Sequence, residues 1–224
     1  MALTKFNYNS FDVTSAASTA LGFNANANGF ATINPGSMTL IKTLTASSSG
    51  TLSFVDGSSS VVLDNTYPVY MFKFINMHPA SDDVKLNVNF RDGGSSYDAT
   101  KTTTAFSASH YENDSAYAFQ YEVTKDLAQS TAVQPVHINI FKGSVSDASV
   151  CGELILFNPS STTFVKHFIV RAVNMGNDGS NAFSEDSFIA GYCNTTTAID
   201  GVQFTMDSGN IDAGTIKLYG VKDS

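Results

Sequence analysis

The stretch DVKLNVNFR (83–91) decides the fold. Val84, Leu86, Val88 and Phe90 fall on every second position, with Lys85, Asn87, Asn89 and Arg91 between them. Successive side chains on a strand point to opposite faces, so this two-residue rhythm predicts a strand with one buried and one wet face. AYAFQYEV (116–123) repeats the device with Tyr117, Phe119, Tyr121 and Val123. VHINI (136–140) sets Val136, Ile138 and Ile140 against His137 and Asn139. Outward from these lie VYMFKFINM (69–77), GELILFN (152–158), FVKHFIVRAVNM (164–175) and SFIAGYC (187–193), which are apolar on both faces and read as strands covered on two sides. Half-wet and doubly covered strands together predict an antiparallel sandwich rather than one open sheet.

The punctuation between the runs agrees. Asp56-Gly57, Asp92-Gly93-Gly94, Asn177-Asp178-Gly179 and Asn210 all tolerate a left-handed backbone. Asn158-Pro159-Ser160-Ser161 places proline at the second turn position, making 152–175 the strongest hairpin signal. About nine to eleven strands are expected between residues 38 and 222, at jelly-roll spacing. Residues 124–132, TKDLAQSTA, are the one weak helical candidate and read as a loop.

Residues 1–37 are different. Phe6, Tyr8, Phe11, Leu21, Phe23, Phe30 and Ile33 are isolated apolar points in a Ser, Ala, Asn and Thr background. Such a segment cannot build its own core, but it can lie along another surface. The expected organisation is an extended N-terminal arm used in assembly (1–37) and a jelly-roll-like antiparallel β-sandwich (38–224), all-β throughout.

Composition narrows the function. Twelve basic and twenty acidic side chains give a net charge of −8, so no nucleic-acid partner is expected. Residues 1–112 hold 6 basic and 8 acidic groups, whereas 113–224 hold 6 and 12. Only 14% of residues are charged, against about 25% in an average soluble protein. No run approaches the roughly 18 apolar residues a bilayer requires, so no membrane insertion is expected. The start of the chain has no apolar signal region, and Cys151 and Cys193 sit in strand-like runs as two expected buried free thiols. Synthesis in a reducing cytoplasm follows.

No active site is expected, and no cofactor. His78, His110, His137 and His167 form no H-E-x-x-H pair, and the cysteines form no C-x-x-C. His167, in an apolar strand, reads as a satisfied structural histidine, while His110 lies in a loop-adjacent stretch with Glu112 and Asp114. No G-x-S-x-G elbow occurs, and RDGGSSYD (91–98) and GNDGSN (176–181) miss the calcium-loop pattern, so no metal site is expected. A depolymerase would need two carboxylates across a cleft. Glu112, Asp114, Glu122, Asp126, Glu153 and Asp186 are available but read as solvating groups.

Four phrases carry a family resemblance: TLTASSSGTLSFVDGSSSVVLDNTYPVYMFKFINMHPASDDVKLNV (43–88), GELILFNPSSTTFVKHFIVRA (152–172), SFIAGYCNTTTAIDGVQFTMDSGNID (187–212) and TIKLYGVK (215–222). Together they resemble a β-sandwich virion-protein family of marine tailed phages, cyanophages among them, over about residues 40–222. The resemblance implies a non-enzymatic phage structural protein on the particle exterior: a capsid decoration, cement or head-fibre subunit. Its implied partners are itself, as a homotrimer, and other virion proteins of the capsid or tail; its implied location is the virion. The alternative expectation is a tail-fibre tip adhesin for host surface glycans, with Tyr97, Tyr111 and Tyr117 as stacking faces.

Overall fold

A computed structural model describes residues 37–138 and 148–222, together with the backbone of two short upstream strands. Those two, β1 (Ala20–Phe23) and β2 (Phe30–Ile33), pair antiparallel with each other, Phe23 opposite Phe30. Leu21 and Phe23 of the expected arm thus fall on β1 and Phe30 on β2, whereas Phe6, Tyr8 and Phe11 lie outside the described residues. Four-residue strands are too short to show a period, which is why the sequence reading anticipated none here.

The remaining strands form an all-β sandwich. They are β3 (Met38–Thr45), β4 (Leu52–Val55), β5 (Val69–Pro79), β6 (Leu86–Arg91), β7 (Lys101–Tyr111), β8 (Tyr117–Tyr121), β9 (Gln134–Pro135), β10 (Val150–Phe157), β11 (Lys166–Asn177), β12 (Ala182–Cys193), β13 (Gly201–Met206) and β14 (Ile211–Val221). One sheet has the order β3-β14-β5-β10-β11-β12-β7-β8 and the other β4-β13-β6-β9, with every pairing antiparallel. The two sheets meet on a fully buried aromatic cluster. Phe54 of β4 lies edge-on to Phe72 of β5 at 5.3 Å, and Phe204 of β13 reaches Phe72 and Phe74 at 5.9 and 6.3 Å.

The strong hairpin signal is β10–β11, in register from Val150↔Asn174 to Leu156↔Phe168. Its turn closes through the Ser161 N–H donating to the Asn158 carbonyl at 3.1 Å, with Asn158 itself left-handed at φ 44°. Residues 124–132 form turns and bends, as read from the sequence. Gly214 sits at φ +117°, where a Cβ would come within 2.6 Å of the Asn76 carbonyl oxygen. Only glycine fits this close crossing of β14 and β5.

Several expectations about cover fail, each for a local reason. On β6 the face expected to be wet is also covered: Asn87 and Asn89 are buried, the latter receiving Lys101 Nζ at 2.6 Å and donating to the Thr131 carbonyl at 3.2 Å. Val136 and Ile138 are buried as expected, but so is His137, and residues 136–138 are bends beyond the two-residue β9; Asn139 and Ile140 lie outside the described residues. The rhythm of β8 is real, yet Tyr117, Phe119, Tyr121 and Val123 are all exposed rather than buried, because β8 is the last strand of its sheet. β5, β10, β11 and β12, read as covered on both sides, are covered on one: the other sheet shields their inner face and leaves the outer one open.

Candidate functional site

The open outer face of the large sheet is the feature that stands apart. Strand register carries one apolar row straight across it: Leu40, Tyr219, Met71, Ile155 and Ile169 are successive cross-strand partners on β3, β14, β5, β10 and β11. Leu40 is 51% exposed and Ile169 44%. Two residues further along the strands runs a charged row, Lys217, Lys73, Glu153 and Arg171. Lys73 pairs with Glu153 at 3.6 Å, and Arg171 donates to both Asp186 oxygens at 3.3 and 2.8 Å. Arg171 is held above the ordinary guanidinium range by those bonds to Asp186.

Beyond Arg171 the row becomes aromatic. Its guanidinium lies 4.9 Å over the Phe188 ring, Phe188 stacks on Phe106 at 4.9 Å, and Phe119 of β8 leans on Phe106 at 5.6 Å. β8 carries the row to the sheet edge, where Phe119 is 77% and Tyr117 82% exposed. Its partner β7 occupies one side, and no other described strand pairs with the opposite backbone edge. Such an edge is a template for further strand pairing.

Two shallow concavities lie on this face. One, of about 640 Å³, is lined by Lys73, Glu153, Arg171, Val173, Ser184 and Asp186 among others. It brings together two of the carboxylates considered for hydrolysis, Glu153 and Asp186, the first paired with Lys73 and the second with Arg171. The other, of about 460 Å³, is almost wholly apolar, with Phe157, His167, Ile169 and Tyr192 in its wall. Glu122 and Asp126 lie instead behind β8, bonded to Gln120 and to the Tyr121 hydroxyl.

The stacking tyrosines do not share one place. Tyr97 precedes β7, beside Arg91 and Gly201, whereas Tyr111 ends β7 and Tyr117 follows the turn. Eleven residues of β7 at about 3.3 Å each put roughly 33 Å between its ends. Tyr111 and Tyr117 do lie near each other, together with the exposed His110–Asp114 pair at 3.2 Å. Burial and the Asp178 carboxylate push the Tyr111 phenol up. His167, expected inside, is exposed on the outer face with its ring 6.0 Å from Tyr192. Cys151 is only half-buried and accepts from the Asn76 N–H, while Cys193 is buried; both are free thiols.

Sequence reading missed one interior cluster. Lys166, Cys193 and Lys101 are cross-strand partners on β11, β12 and β7, all three with no exposed surface. Lys101 donates to Asn89 Oδ1 and to the Ala99 carbonyl at 2.8 Å, and Lys166 to the Thr195 carbonyl at 3.1 Å. Burial pushes the Lys101 ammonium down to about 8 and the Cys193 thiol up to about 12. These lysines satisfy carbonyls at strand ends, and nothing in their local sequence announces it. Among the described residues no three His, Cys, Asp or Glu side chains cluster to hold a metal, and no helix is long and apolar enough to cross a membrane. No protein-family model, curated protein or solved structure matches the chain.

Proposed function

We propose that the chain is a non-enzymatic structural protein of a phage particle, on its exterior as a capsid decoration, cement or head-fibre subunit. The observation that carries the reading is the open apolar face of the large sheet on an otherwise acidic, polar sandwich. Contiguous exposed apolar area at this scale marks a contact surface.

The strand path supports it. β3-β14-β5-β10 against β4-β13-β6-β9 is a four-and-four arrangement of the kind two interleaved Greek keys make, and we read it as a jelly roll. The β7–β8 and β11–β12 hairpins then widen one sheet beyond the four strands opposite. The widening adds a broad surface with two shallow concavities, which suits a building piece. The N-terminal segment, the arm of this reading, precedes β3 at the edge of the same sheet.

The test is the protein inventory of density-purified particles from cells expressing this chain. The reading expects it at stoichiometric copy number, and lost from the particles when residues 1–37 are deleted. Its absence from particles, or full incorporation without the segment, overturns the corresponding half of the proposal. A second reading, a glycan-binding tip, draws on Tyr117 beside His110 and Asp114. It expects the purified protein to bind host cells and block infection, and Tyr117→Ala to weaken both.

A further inference from the structure

The outer face of the large sheet has the sequence of a covered layer and the exposure of an uncovered one. We propose that other copies of this chain cover it, so that the sandwich self-associates through this face. The inference concerns the fold alone and stands whether or not the chain belongs to a virion.

Three observations carry it. The first is size: eight strands about 4.8 Å apart and four rows of side chains spaced about 6.7 Å give roughly 38 by 27 Å, about 1,000 Å². A stable interface takes about 800 Å² from each partner. The second is charge. A chain of net −8 repels its own copies, but the row across this face sets Lys217, Lys73 and Arg171 against Glu153 and Asp186. Three cations against two carboxylates let copies approach here without the repulsion that acts elsewhere.

The third is the match of sequence to place. β5, β10, β11 and β12 keep Met71, Ile155, Phe157, Ile169 and Tyr192 on outward positions where a solvated sheet would carry Thr, Lys and Glu. In closed symmetric association one patch meets copies of itself or of its neighbour, and mixed apolar rows flanked by paired charges suit that role. The Phe106–Phe119–Phe188 cluster extends the patch to the β8 edge.

Sedimentation velocity on the full chain, from low to high micromolar concentration, tests the proposal. The native chain is expected to be oligomeric. Ile169→Lys and Leu40→Lys, both at exposed positions, are each expected to weaken association by about tenfold or more. Ser58→Lys, in the β4–β5 connection, is expected to change nothing, and thermal melts report whether each variant folds. A native chain that stays monomeric throughout, or an oligomer indifferent to both Ile169→Lys and Leu40→Lys, overturns the inference. So does a monomer that associates only after residues 1–36 are removed, since the chain's own N-terminal segment would then be the cover.

Discussion

The two ends of the large sheet bury different chemistry against the rest of the molecule. Around β14, β5 and β10 the inner face is Phe72, Phe74, Leu154, Ile216 and Leu218, meeting Phe54 and Phe204. Around β12 and β7 it is Thr103, Ser107, Glu185 and Ser187, meeting Gln134 and His137. There Thr103 donates to Gln134 Oε1 at 2.7 Å, the Ile138 N–H to Glu185 and Ser187 at 3.2 and 3.1 Å, and the Leu86 N–H to His137 at 3.0 Å. The apolar end is held by burial and tolerates imprecision. The polar end depends on each bond being made, because an unmet buried group costs more than a met one returns. The outer face shows the reverse gradient: the polar-cored end carries its most exposed aromatics.

The comparison predicts unequal responses to mutation. Phe204→Ala, at the centre of the apolar end, is expected to lose about 3–5 kcal/mol in urea denaturation. A loss well under that range would mean the sheets are not closely packed there.

Next in size is a pH effect at the polar end. Lys101 titrates at about 8 when folded against 10.5 ordinarily, so between those values the unfolded chain binds the extra proton and stability rises with pH. Cys193 acts oppositely: its thiol goes from 9.0 to about 12, so above pH 9.0 folding is increasingly penalised. The native chain should therefore gain stability from about pH 8 to 9 and rise less steeply above that. Lys166, lowered by the same burial, adds to the gain. Cys193→Ala should extend the rise toward pH 10.5, to about 2–3 kcal/mol in all. Lys101→Met should remove most of it. A pH-independent stability in Cys193→Ala would show that the lysines are solvated.

The smallest effect has the opposite sign. Asn174, buried on β11, has neither its amide nitrogen nor its oxygen in a hydrogen bond among the described residues. Asn174→Leu is expected to stabilise the fold by about 1 kcal/mol, since it removes an unmet polar group at similar volume. A destabilisation would mean that the amide has a partner in solution.

Much of this fold was legible in the sequence, and the limits are physical. The alternation on β6 and β8 is the same signal, yet Phe90 is wholly buried and Phe119 largely exposed. Periodicity reports that a strand has two unlike faces; what lies opposite is set by strand order, which no local window contains. Apolar runs on β5, β10, β11 and β12 identified the central strands of the large sheet, and their second apolar face was read as interior when it is exterior. The burial of Asn89 and Lys101 depends on the loop through Thr131 and on β7 meeting β6, and Asn87 is held by Asp207 after β13, contacts far apart in the chain. Of the candidate contact residues, Tyr111 and Tyr117 share a region because a turn joins them, and Tyr97 does not because a whole strand intervenes.

The most direct test of the central claim is oxidative side-chain footprinting of the native chain across a concentration series. It reads solvent access at the outer face itself, with no mutation. If copies cover that face, Met38, Met71 and Tyr219 become protected as concentration rises, while Phe164, 69% exposed in the β10–β11 connection, stays equally reactive. Equal oxidation of the three outer-face residues at every concentration would contradict the account.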